Sequence, residues 1–161
     1  MFHVQKHDWY GCGVATAAMT AELTYEEAAN RCGELEPGAL RDPHRLRRTL
    51  VNLTGCAWMG VEPFRPPLLS ELPLPDHFVA VLLQDDQERP RYSQWVVLKG
   101  SLVHDPQYAT AHVLAHYPRR SWFVNCLLEP AQPERLSDLR ANRIDAVLRE
   151  LAAELTVGTS P

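Results

Sequence analysis

The chain has 161 residues, 45% of them hydrophobic and 22% charged, with a formal net charge of −4. That is enough for one domain with a substantial core, and the acidic balance argues against a general nucleic-acid binder. No run approaches the roughly 20 apolar residues of a membrane span, and residues 1–8 lack the basic-then-apolar layout of a secretory signal.

The first half reads as helical. The small-residue run after Cys12 predicts a helix over residues 12–22. Thr24 followed by Glu27 has the form of a capping box, opening a helix through Cys32 with Gly33 as its stop. After a Glu36-Pro37-Gly38 loop, Leu46, Leu50 and Leu53 recur at helical spacing over residues 43–54, and Gly55 ends that helix. Arg45, Arg47 and Arg48 fill its solvated faces.

The second half reads as strands. They are expected over 57–64, 77–84, 94–98, 102–105 and 121–128, the last ended by Pro130. Five prolines make 63–75 an irregular connection, and Asp85 to Arg91 is a polar loop. From Glu134 to Leu155 a stripe of Leu136, Leu139, Ile144, Val147, Leu148, Leu151 and Leu155 predicts a packing helix, with Arg140 among the residues covering the other faces. Val157 to Pro161 is a frayed tail. The expected organisation is an α+β fold with residues 1–130 as the principal unit and 131–161 as a C-terminal packing helix and tail.

Four cysteines occur without a Cys-x-x-Cys pair, which fits neither a zinc site nor a disulfide framework and points to a reducing, cytoplasmic setting. Cys32, Cys56 and Cys126 read as small buried hydrophobes. Cys12 differs. Flanked by Gly11 and Gly13 at the start of a helix, it stands where the free N–H groups of the first turn favour an anion. A thiolate nucleophile needs a base and a group to orient that base. Residues 93–106 supply a hairpin: a Lys99-Gly100 turn pairs Gln94 with Asp105 on one face, whereas a Gly100-Ser101 turn pairs Gln94 with Gln107. Considered alone, Gln94 and Asp105 read as a polar pair at a sheet end; Cys12 in its glycine setting is what favours a catalytic pair.

Gln5, Gly11-Cys12-Gly13-Val14-Ala15, and Trp95-Val96-Val97-Leu98 with Asp105-Pro106 together resemble the bacteriocin-processing, double-glycine-leader cysteine peptidases of the papain-like group. The likeness is to their short stand-alone relatives in phages and bacteria and covers Gln5 to Asp105. It implies a papain-like fold, with N-terminal helices on an antiparallel sheet, and cleavage of a peptide or amide bond in a peptide or protein partner, without metal or cofactor. By the same resemblance Cys12 matches the nucleophile, Asp105 the residue orienting the base, and Gln5 the oxyanion donor, although it stands seven residues before Cys12. The family has His where this chain has Gln94, and glutamine accepts no proton at neutral pH.

Other histidines are poorly placed. His77 belongs at the far end of the sheet from Gln94, and His104 should face away from Asp105. His3 and His7 flank Gln5 and could approach Cys12, while His112 and His116 have the i, i+4 spacing of a metal pair on a helix but, with no third ligand in evidence, read as an exposed helix face. Three explanations of Gln94 stand side by side: an introduced inactivating substitution, a degenerate relative that binds rather than cleaves, or a site completed by another base. The expectation is a thiol hydrolase fold that is inactive or weakened as written, with a non-catalytic pseudopeptidase, acting as a binding or structural component, as the alternative.

Overall fold

The structure, a computed structural model, describes residues 3–33, 35–85 and 92–157. The expected polar loop beyond Asp85 and the tail beyond Val157 lie outside the described residues, as do the side chains of Leu139, Val147, Leu151 and Leu155.

Local chemistry sets the three leading helices. In α1 (Cys12–Ala21) every residue except Val14 is buried, as small side chains on all faces allow. Thr24 caps α2 (Tyr25–Cys32): its hydroxyl accepts from Glu27 N–H at 3.1 Å and its own N–H donates to the Glu27 carboxylate at 2.8 Å. Asp42 caps α3 (Pro43–Thr54) by accepting from Arg45 N–H at 2.8 Å, with Pro43 in the first turn, where it needs no donor. Leu46 and Leu50 of α3 are buried, whereas Arg45, Arg47 and Arg48 are exposed. Gly55, at φ 64°, closes α3 in the left-handed region that glycine enters without steric cost.

Six antiparallel strands follow: β1 (Trp58–Val61), β2 (Val79–Gln84), β3 (Ser93–Lys99), β4 (Leu102–His104), β5 (His112–Val113) and β6 (Phe123–Pro130). Their order is β1-β6-β2-β3-β4-β5, so β6 returns to lie between β1 and β2. Alternation along the strands sends Ala80, Leu82, Trp95 and Cys126 to one face, where they pack with Cys12, Leu46, Leu50 and Leu136 of the helices. Val81, Leu83, Val96 and Leu98 go to the other face, against Leu69, Leu114 and Tyr117 of the connecting segments. The protein is thus an α+β fold with one sheet face under helices and the other under irregular chain. No helix among the described residues is long and apolar enough to cross a membrane.

Three expectations are corrected, and the open choice of hairpin turn is decided. The β3–β4 register pairs Leu98 with Val103 and Lys99 with Leu102, so of the two alternatives the turn is Gly100-Ser101. Gly100 has φ 54°, and a positive φ at the first turn position suits the twist of a two-residue hairpin. His112 and His116 share no helix face, because His112 is in β5 and His116 ends a short 3-10 turn. Arg140, expected on a solvated face, is buried and pairs with Glu22. The apolar stripe of α4 (Pro133–Val157) is buried at Leu136, half-buried at Ile144 and 57% exposed at Leu148, so the helix packs through its first turns.

Candidate functional site

Cys12 is the first residue of α1, after Gly11 at φ −77° and ψ 4°, and no side chain caps that end. The first-turn N–H groups therefore stay available. The flanking glycines answer to packing. A Cβ on Gly13 would stand 2.4 Å from the Leu40 Cβ and 2.8 Å from the Leu40 carbonyl oxygen, and one on Gly11 would stand 2.3 Å from the Tyr25 hydroxyl. Cys12 itself is 0% exposed, in the helix-side cluster that contains Trp95. Its sulfur makes no hydrogen bond with Gln94, Asp105 or any other described residue.

Gln94 and Asp105 do meet. The observed register differs by two residues from the one a Lys99-Gly100 turn would give, and a shift of two leaves a side chain on the same face. Gln94 becomes a diagonal neighbour of Asp105, within reach of a long side chain. Gln94 Nε2 donates to Asp105 Oδ1 at 2.9 Å, and the Tyr92 hydroxyl donates to Gln94 Oε1 at 3.1 Å. The Asp105 carboxylate, 0% exposed, also accepts from Gln107 N–H at 2.9 Å, Tyr117 Oη at 2.7 Å and Arg119 Nη1 at 2.5 Å. It is fully hydrogen-bonded, and its charge is compensated by a guanidinium rather than an imidazole.

Cations and rings surround this pair. The Arg119 guanidinium lies 4.7 Å from the Trp122 ring centre, 5.6 Å from that of Tyr108 and 5.7 Å from that of Tyr92. Burial, the largest single influence, acts against its charge, but Asp105 together with Tyr117 and Tyr108 outweighs it, so the pKa of Arg119 is raised. Tyr117 is pushed up by burial and then by Asp105, so it stays a neutral donor. Lys6 N–H donates to Pro106 C=O at 2.9 Å, and its ammonium lies 3.4 Å from the Tyr92 hydroxyl. Burial lowers the Lys6 pKa, opposed by the negative charges of Cys12 as thiolate and of Asp105. Burial raises the pKa of Tyr92, and negative charge at Cys12 adds to that, so Cys12 and Asp105 share one electrostatic neighbourhood although they do not touch.

Among the other expected site residues, Gln5 is exposed and hydrogen-bonds no described residue, while its neighbour Lys6 turns towards the site. The histidines are engaged elsewhere. His3 lies 2.7 Å from the Tyr108 carbonyl and stacks on His104, and His7 stacks on Tyr25 and contacts Glu26. His77 pairs with Asp76 beyond the end of β2. His104 packs towards Phe78, away from the Asp105 side. No group of three or more metal-ligating side chains occurs among the described residues. Of the remaining cysteines, Cys56 and Cys126 are buried as expected, whereas Cys32 is partly exposed. Lys6, Tyr92, Tyr117 and Arg119 were missed from sequence. Only the crowding of Tyr117 and Arg119 soon after Asp105 offered a signal. No protein-family model matches this chain, and no curated protein matches it.

Proposed function

We propose that the chain is a thiol-hydrolase-like domain of papain-like descent, held in a non-hydrolytic form and acting as a module that binds a peptide or protein. One observation carries this reading. The amide of Gln94, at the position where the resembled family has its histidine, is buried, with its donor end on Asp105 and its acceptor end under the Tyr92 hydroxyl. An imidazole there could donate through one nitrogen to Asp105 and accept a thiol proton at the other, whereas an amide holds the first contact and performs no proton transfer. Arg119 supports the same reading, since it supplies the positive charge that a buried Asp105 needs in the absence of an imidazolium. The resemblance to double-glycine-leader peptidases supports a peptide as the ligand class.

The test compares the chain with Gln94→His. Alkylation of Cys12 by iodoacetamide near neutral pH should accelerate by about tenfold or more in the variant, at the low end of what a positioned base contributes. An unchanged rate with no amide cleavage sinks the hydrolase-derived reading. Amide cleavage by the unaltered chain, lost in Cys12→Ala, sinks the non-hydrolytic one. The contacts of Lys6 favour a second reading, a slow hydrolase in which Lys6 takes the thiol proton, and that same cleavage assay with Lys6→Met decides it.

A further inference from the structure

A cavity of about 450 Å3 opens between the first turn of α1, the second half of α2 and residues 35–40. That volume is within the range of small-ligand sites. Val14, Leu40 and the Tyr10 ring make its walls apolar, while two carboxylates, Asp8 and Glu36, stand in its lining. No lysine, arginine or histidine is among its described lining residues. Asp8 accepts Tyr10 N–H at 2.7 Å on one oxygen and the Tyr25 hydroxyl at 3.1 Å on the other. Each carboxylate oxygen retains a second lone pair, and the Glu36 carboxylate forms no ion pair with any described residue. Tyr25 remains a neutral donor, because burial and then the Asp8 charge push its pKa up to about 12. The Tyr10 ring already receives one guanidinium, Arg41, at 5.3 Å.

An apolar slot with two carboxylates and no cation among its described lining residues is complementary to a side chain with a long apolar stem and a positive end. We propose that this cleft binds a basic side chain, lysine or arginine, presented by a peptide, its stem against Val14, Leu40 and Tyr10 and its cation between Asp8 and Glu36. A peptide is favoured over a free amine because a part-exposed ion pair adds little by itself, so contacts beyond the cleft must supply affinity. The cleft borders Gly11, the residue before Cys12, which brings the backbone of such a peptide towards the thiol end of α1. The proposal rests on the reading of the chain as a peptide-binding module but needs no chemistry at Cys12.

Cys32 lines the cleft and is half-buried, whereas Cys12, Cys56 and Cys126 are at most 2% exposed, so Cys32 reports occupancy. The experiment measures iodoacetamide alkylation of Cys32 by residue-resolved mass spectrometry, with acetyl-Leu-Lys-Leu-amide and its norleucine analogue as probes. At saturation the lysine peptide slows alkylation by about tenfold, because only the unoccupied fraction reacts, and the norleucine analogue has less than about a twofold effect. Glu36→Gln, at an exposed position, weakens protection by about threefold or more, as does Asp8→Asn. Cys12→Ala leaves protection unchanged. Equal protection by both peptides, none by either up to about 10 mM, or full protection after loss of both carboxylates overturns the proposal. Acceleration of Cys12 alkylation in Gln94→His alongside any of these failures leaves the hydrolase-like reading standing.

Discussion

Arg119→Met isolates the charge that makes a buried Asp105 tolerable. Methionine keeps an apolar stem beside Trp122 and removes the guanidinium that donates to Asp105 at 2.5 Å. The carboxylate, 0% exposed, is left with three neutral donors: Gln94, Gln107 N–H and Tyr117. Removing one partner of a buried ion pair costs about 3–5 kcal/mol. The neutral donors, together with the Lys6 ammonium nearby, place the expected loss at the lower end, about 3 kcal/mol. At roughly 2–4 °C per kcal/mol for a chain of this size, the midpoint of thermal unfolding falls by roughly 6–12 °C. Asp105→Asn alone is also destabilising. The double variant removes both charges, so it should lose less than the sum of the two, with a coupling of at least about 1.5 kcal/mol. Urea unfolding of the four proteins, followed by tryptophan fluorescence at pH 7, measures that coupling. A buried pair is weakly screened, so added salt changes it little. A coupling below about 0.5 kcal/mol refutes the claim that Arg119 is the charge partner of Asp105.

Three further outcomes are expected. His104 is buried, and burial followed by the neighbouring His3 and Arg140 charges lowers its pKa from 6.5 to about 4. The unfolded chain then binds the extra proton between those values, so stability is lost as pH falls from about 6.5 to about 4, by up to about 3 kcal/mol. Urea midpoints across that range should flatten in His104→Phe, and an unchanged slope refutes the assignment. Gly13→Ala forces a Cβ against the backbone and Cβ of Leu40 and should cost about 1–3 kcal/mol; Gly11→Ala meets the end of the Tyr25 side chain, which can swing aside, and should cost less. Equal melting temperatures for the two variants contradict this. Glu22 has φ 54° and pairs with buried Arg140, which lies 3.7 Å from the Phe78 ring centre. Glu22→Gly relieves the backbone yet strands Arg140, so the net effect is a loss of about 2 kcal/mol or more, and a stabilised variant disproves the importance of the pair.

Of the site, the sequence showed the positions but not their partners. Strand alternation placed Gln94 and Asp105 on one face whichever two-residue turn closed the hairpin, because the two registers differ by an even number. Which register forms depends on Gly100 taking the positive φ of the first turn position. The glycines around Cys12 suggested a reactive thiol, yet their spacing equally suits the close approach of Leu40 and Tyr25, and only the packed helices reveal that second cause.

Helix caps, stops and the division into a helical front and a stranded back were determined by the sequence itself, since each rests on groups within a few residues of one another. Thr24 with Glu27, Asp42 with Arg45, and Gly55 after Thr54 are of this kind. The tertiary structure decided what depends on residues far apart in the chain. Arg140 reads as solvated until α4 brings it to Glu22, 118 residues earlier. Arg119 gains its role only when the chain after β5 turns back onto Asp105. Desolvation acts on whatever the fold brings together, so burial converted two ordinary arginines into the charge partners of buried acids. It also left residue 94, at the heart of the candidate site, as an amide held at both ends.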